Sequence, residues 1–295
     1  MVTMTSSAWR LRADEAGVLH AGPWLRLRTM AWMALLFALS AAAFFASLLL
    51  TDWMPALADH GRAIALLLPA AMVIVYALLV RVGERRPASE LRLTRAPIEL
   101  VVGALVGFAF ISGTLLMLWA LGLYDVRPGT WRDAWHYFVF NAYVSAVLEE
   151  IAFRAILMRL LARTLGVWPG LILSSILFGL AHVGHASPVA VAALIINGGG
   201  ILGLLYLASG RLWLPIGAHL AYDFTEWSLM GIGDHDGLLA STPTAGAPVW
   251  LSGGRFGPDG SVLAVVVGAL LMWAIAATHR RLIGSAARGL QQRTS

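Results

Sequence analysis

Eight apolar stretches, each close to the length needed to cross a bilayer, decide most of what this chain can fold into. They run near 30–51, 63–80, 99–124, 136–162, 167–186, 188–208, 212–231 and 261–278. A hydrocarbon core about 30 Å thick takes about 20 apolar residues per helix. Composition agrees: 59% of the residues are hydrophobic and 13% charged, with a mean hydropathy of +0.76, against roughly 45–50% apolar in soluble domains. The first stretch follows some thirty polar and arginine-bearing residues and has no clear stop after "SAAAFFAS", so it reads as a retained span rather than a cleaved signal peptide. The expectation is an all-α polytopic integral membrane helical bundle of about eight transmembrane helices, one domain over 1–295, with no long internal repeat and no second soluble domain.

Charge sets the orientation. Every one of the 21 basic residues is arginine. With a cytoplasmic amino terminus, Arg10, Arg12, Arg26 and Arg28, then Arg81, Arg85, Arg86, Arg92 and Arg95, fall on the inner side. Arg159, Arg163, Arg211 and the four arginines of the C-terminal tail join them there, against Arg62, Arg127, Arg132 and Arg255 outside. That distribution follows the positive-inside rule and puts both termini in the cytoplasm, with Arg154 left inside the membrane. Trp53, Trp131, Trp135, Trp168 and Trp213 fall near span ends, as interfacial tryptophans should. The net charge of +5 requires no nucleic-acid partner, and the partners expected are lipid and the membrane itself.

Two segments outside the spans stand out. "GERRPASELRLTRAP" (83–97) reads either as a basic amphipathic stretch along the headgroups or as a solvated loop. The segment 232–260, rich in Gly, Pro, Asp and Ser, reads as irregular external backbone.

An ionisable side chain at mid-bilayer costs about 2.5–3.5 kcal/mol on insertion scales, so each one needs a paired or cavity-facing role. The fourth stretch carries Glu149, Glu150 and Arg154, the fifth His182 and His185, and the seventh His219, Asp223 and Glu226. Glu150 and Arg154 are i,i+4 neighbours with acid before base, as suits an ion pair. Asn141, Ser145 and Glu149 form a second line at the same spacing, and so do Phe178 with His182 and His219 with Asp223. Taken singly these have plain structural readings: Glu150–Arg154 as an ion pair, His185 as interfacial, Glu226 facing solvent, Asn141 and Ser145 as packing polar groups. Taken together, Glu149, His182, His219 and Asp223 come from three helices and make a carboxylate–imidazole cluster of the kind that activates water. The chain has no cysteine, which removes thiolate chemistry and disulfides.

"EEIAFR" (149–154) fits EExxxR, "FGLAH" (178–182) fits FxxxH, and "HLAYD" (219–223) fits HxxxN/D. In order and spacing the three resemble the CPBP family of intramembrane proteases, which takes in type II CAAX prenyl proteases and the Abi proteins. The stretch 198–224 also resembles that family's Gly-rich helix, short turn and third-motif helix. The resemblance covers about 135–230 and marks it as the catalytic core. It implies Glu149 as general base, His182 binding and orienting the same water, and His219 with Asp223 facing the oxyanion. Glu150, Arg154 and Phe178 are implied as support, with Glu150 and Arg154 fixing the helix and the rotamer of Glu149.

CAAX proteases have Asn where this chain has Asp223, and an ionised carboxylate cannot donate to an oxyanion. Three readings stay open: Asp223 protonated by burial, Asp223 orienting His219, or Asp223 in a metal site. No cofactor is required by the water-activation account, while Glu149, His182, His219 and Asp223 also form a possible zinc ligand set. The function expected is an intramembrane endopeptidase, metal-dependent or not, in the cell membrane, cleaving a membrane-associated peptide or protein. The alternative is a proton- or ion-coupled transporter, with "NGGG" (197–200) as the break of a discontinuous helix. A catalytically silent binding or immunity protein is disfavoured because Glu149, His182 and His219 are all present.

Overall fold

A computed structural model describes residues 16–52, 58–132, 138–184, 186–233 and 237–294, with backbone alone at 50–52, 58–65, 139–141 and 279–294. Among them are eight long helices: α1 (Leu25–Asp52), α2 (Ala58–Gly83), α3 (Ala96–Ala120), α4 (138–165), α5 (Val167–Leu180), α6 (188–209), α7 (213–229) and α8 (Val262–Thr294). Each overlaps one of the eight apolar stretches. By length and composition, four segments are able to cross a bilayer: Leu25–Leu49, Leu66–Gly83, Ser89–Ala120 and Pro188–Ser209. Val167–Leu180 and Val262–Thr278 are shorter apolar helices. Leu67, Leu78, Val101, Leu105, Leu116 and Trp273 are exposed, an apolar outer surface suited to lipid. Trp53, Trp135, His185, Arg10 and Arg12 lie outside the described residues, as does the side chain of Asn141.

Local sequence explains several helix ends. Ser187 caps α6 by accepting a hydrogen bond from the Ala190 N–H at 3.2 Å, and Pro188 takes the first turn, where no amide donor is needed. Gly166 separates α4 from α5 at φ +98°, and Gly210 closes α6 at φ +66°.

Packing around the future site depends on small residues. A Cβ on Gly103 would sit 2.1 Å from the Leu214 carbonyl oxygen, and one on Gly107 would sit 2.0 Å from that of Ala218. From the other side, a Cβ on Gly217 would lie 2.3 Å from the Leu100 oxygen. Helices α3 and α7 therefore touch backbone to backbone, the close approach that small residues at four-residue spacing allow in membranes. The glycines of "NGGG" serve the same end. Gly198 lies under the Phe178 ring and Gly199 against Ser175, and α6 runs through them in wide π-type turns without a break. The discontinuous helix expected of a transporter is not what this segment forms.

Two segments differ from the sequence reading. Residues 83–97 are not wholly a solvated loop, although Arg92, Leu93, Thr94 and Arg95 are exposed. They fold into two short 3-10 turns, and Glu84, Arg86 and Glu90 are buried. Arg159, counted among the inner-side arginines, reaches back to Glu84 with two contacts at 2.7 and 2.8 Å. Arg86 bridges Glu84 and Glu90 at 2.8 Å each, Trp32 donates to Glu84 at 3.0 Å, and the Tyr76 hydroxyl donates to Glu90. Burial by itself would raise the pKa of Glu84, but Arg159, Arg86 and the Trp32 N–H together outweigh it and hold the carboxyl below its usual range. The segment 232–260 is likewise not wholly irregular. Its residues Leu239–Pro243 (β2) pair antiparallel with Tyr124–Pro128 (β1), Tyr124 opposite Pro243, and tie the α3–α4 connection to the α7–α8 connection.

Candidate active site

Glu149 and Glu150 are adjacent on α4, so the helical rotation of about 100° per residue sends them to different neighbours. Glu149 accepts a hydrogen bond from the Ser145 hydroxyl one turn earlier, at 2.8 Å. It is this hydroxyl, not Glu150 or Arg154, that bonds to Glu149. Glu150 is fully buried and takes two partners through one oxygen: Arg154 at 3.0 Å and the Nδ1 of His219 at 2.9 Å. Arg154 also donates to the Gly198 carbonyl, and its guanidinium lies 4.6 Å from the centroid of the Phe178 ring.

Phe178 packs against that guanidinium and against the two imidazoles. Its ring centroid is 5.2 Å from that of His182 and 6.1 Å from that of His219. Because α5 ends at Leu180, His182 sits in the turn after the helix, not inside the span. Its Nδ1–H donates to the Phe178 carbonyl at 2.9 Å, satisfying one of the acceptors a helix terminus leaves over. A carbonyl only accepts, so the proton is on Nδ1 and Nε2 is the ring's acceptor atom.

On α7, His219 donates from Nδ1 to Glu150, and its Nε2 lies 3.6 Å from Asp223 Oδ2. That separation is longer than a hydrogen bond, and Asp223 Oδ2 has no hydrogen-bond partner among the described residues. Glu226, read from sequence as facing solvent, is instead buried, 2% exposed, because the following loop folds over it.

Glu149, His182, His219 and Asp223 all line one cavity of about 290 Å³. Phe44, Leu48, Phe110, Leu194 and Trp227 supply much of its apolar wall. The sequence reading missed Asn197, Tyr222, Phe256 and Asp259, which line the same cavity. Tyr222 was open to inference, since it neighbours Asp223 on the polar side of α7. Asp259 was not, because it stands in the loop before α8, far along the chain from the motifs.

Zinc asks Glu149, His182, His219 and Asp223 to turn their lone pairs to one point. Among the described residues, no group of three or more His, Asp or Glu side chains is arranged to hold an ion. The Nδ1 atoms of both histidines are committed, to Glu150 and to the Phe178 carbonyl, as the second nitrogen of a metal-bound imidazole also is. Water activation by Glu149 and His182 needs no ion.

Residues 131–225 match the family model described as type II CAAX prenyl endopeptidase Rce1-like. Neither the curated proteins nor the solved structures give a match. The matched segment contains "EEIAFR", "FGLAH" and "HLAYD", the three motifs whose side chains meet at the cavity, and it ends just before Glu226. Residues 131–225 are thus similar to the CPBP, or CAAX-protease-like, family.

Proposed function

We propose that this protein is an intramembrane endopeptidase that hydrolyses a peptide bond of a membrane-associated peptide or protein, using water activated by Glu149 and His182. The observation that carries the reading is the convergence of Glu149, His182, His219 and Asp223, from three helical segments, on one cavity. Glu149 acts as general base and takes a proton from the water. His182 accepts the water's other hydrogen through Nε2, while its Nδ1–H bond to Phe178 holds the ring. The water oxygen attacks the scissile carbonyl.

The resulting oxyanion faces the Nε2 edge of His219. Glu150 fixes that ring by accepting from Nδ1, and the second N–H of the imidazolium, at Nε2, faces the developing charge, 3.6 Å from Asp223 Oδ2. A preorganised donor of this type is worth about 2.7–4 kcal/mol in acyl transfer. Ser145 holds the rotamer of Glu149, and Arg154 and Phe178 hold the wall from behind. The same reading gives a multi-pass protein of the cell membrane with about eight spans and both termini cytoplasmic. Its substrate enters from the bilayer or its cytoplasmic face.

The test is cleavage by the purified protein in lipid nanodiscs of an acyl-anchored, internally quenched peptide library, read by fluorescence and mass spectrometry. The expected result is cleavage with one atom of ¹⁸O from labelled water in the new carboxyl group, abolished by Glu149→Gln and by His182→Ala. Undiminished cleavage by folded Glu149→Gln would refute the assignment.

A further inference from the structure

Two buried carboxyl groups beside the cavity have no place in the mechanism so far. Glu226 on α7 and Asp259 in the 3-10 turn Pro258–Gly260 are 2% and 3% exposed, and a hydrogen bond joins them. Glu226 Oε1 receives no bond from an N–H or hydroxyl group. Both carboxyl groups converge on Gly257, where an added Cβ would lie 2.5 Å from Glu226 Oε1 and 3.0 Å from Asp259 Oδ1. Gly257 has φ +134°, a conformation that also excludes a side chain. Two buried carboxylates that face each other cannot both be ionised without a cation, so a shared proton joins them. Burial pushes the Asp259 carboxyl up from its ordinary range.

Only Asp259 of the pair reaches the cavity wall, where it joins Glu149, His182 and Asp223. It is held firmly there. The Tyr222 hydroxyl donates to its Oδ2, and the Asn197 amide donates to its main-chain carbonyl at 3.4 Å. The titratable groups facing it are Glu226, Tyr222 and Asp223 from α7, His182 from the turn after α5, and Tyr124 from β1. Both carboxyl groups lie outside the 131–225 match.

We infer that Asp259 is a further catalytic residue, the general acid that protonates the departing amine, with Glu226 as the positioning residue that keeps the proton available. This rests on the proposed hydrolase reading. Glu149 removes one proton from water as the C–O bond forms. The tetrahedral intermediate then collapses: its oxyanion reforms the carbonyl, the C–N bond breaks, and the nitrogen takes the proton from Asp259. The proton on Glu149 returns to the acid pair through solvent once the products leave, so one water is consumed and no net proton is gained or lost. An amide nitrogen is too poor a leaving group to depart unprotonated, and general acids of this type contribute about 10²–10⁴-fold.

The experiment compares Asp259→Asn and Glu226→Gln on two probes of one sequence, a cleavable quenched peptide and its p-nitrophenyl ester, whose leaving group needs no proton. Asn at 259 still accepts from Tyr222 and donates to Glu226, so folding is retained. The expected result for Asp259→Asn is a loss of about 100-fold or more in kcat on the peptide and under about threefold on the ester. For Glu226→Gln the basic limb of the peptide pH profile moves to lower pH. Equal losses on both probes mean a structural role and overturn the inference, as does full peptide cleavage by Asp259→Asn. Glu149→Gln run alongside abolishes both reactions if the hydrolase reading holds. If it abolishes neither, that reading fails independently of Asp259.

Discussion

Replacing Gly107 by alanine adds one methyl group at the tightest described point of the α3–α7 crossing, and the structure fixes what must follow. The new Cβ would lie 2.0 Å from the Ala218 carbonyl oxygen, where contacts under 3.0 Å are essentially never seen, so the two backbones separate by about 1 Å. The atom that yields belongs to the residue before His219, on the helix that also carries Asp223. A misplacement of about 1 Å in a catalytic group costs on the order of 100-fold in rate. Overpacking itself costs about 1–3 kcal/mol, which a bundle of this size withstands. At Gly113, two turns further along α3, an added Cβ would meet nothing within 4 Å, so alanine there gains about 1 kcal/mol of helix propensity with no displacement. Both variants are assayed in nanodiscs for the initial rate of peptide cleavage and for thermal unfolding by tryptophan fluorescence. The expected pattern is a folded, roughly 100-fold slower Gly107→Ala beside a fully active Gly113→Ala. Equal rates for the two would show that the α3–α7 approach does not set the position of His219.

Further outcomes follow from other contacts. Ser145→Ala removes the hydrogen bond to Glu149 and is expected to lower kcat by about tenfold with KM little changed, since one hydrogen bond to a charged group is worth about 1.5–3 kcal/mol. Glu150→Gln leaves Arg154 without its acid partner and lets the His219 ring turn, so unfolding free energy falls by about 3–5 kcal/mol along with activity. Glu84→Gln leaves Arg159 buried beside a neutral group, at a similar cost measured by thermal denaturation. Because the folded pKa of Glu84 is depressed, its stabilisation is present above the unfolded carboxyl value of about 4.3 and is lost as pH falls through the lower folded value. The wild type should therefore lose stability on acidification faster than Glu84→Gln. A parallel pair of acid-unfolding curves would contradict that account.

The helices and the motif side of the cavity were legible because both are written locally. Twenty-residue apolar runs mark helices, and i,i+4 spacing puts His219 above Asp223 and Ser145 above Glu149 before any coordinates are known. What stayed hidden depends on partners distant in sequence. Glu84 and Arg159 are 75 residues apart, so a buried ion pair looked like one acid in a basic loop and one more inner-side arginine. Strands β1 and β2 are short, and their pairing joins segments separated by four helices. Asp259 shows no periodicity, and only the fold of the outer loop carries it to the cavity. Glu226 was misjudged for the same reason, since the group that covers it comes from the far end of that loop.

Glu150 couples a buried cation to one of the imidazoles. Arg154 is 1% exposed, and the carboxylate oxygen it holds at 3.0 Å also takes the His219 N–H at 2.9 Å, so its charge reaches that ring through one shared acceptor. Mobile ions screen over about 8 Å at physiological ionic strength, but only where they can travel, and these groups are buried. The polarisation at His219 is therefore wired into the protein and indifferent to the salinity on either side of the membrane.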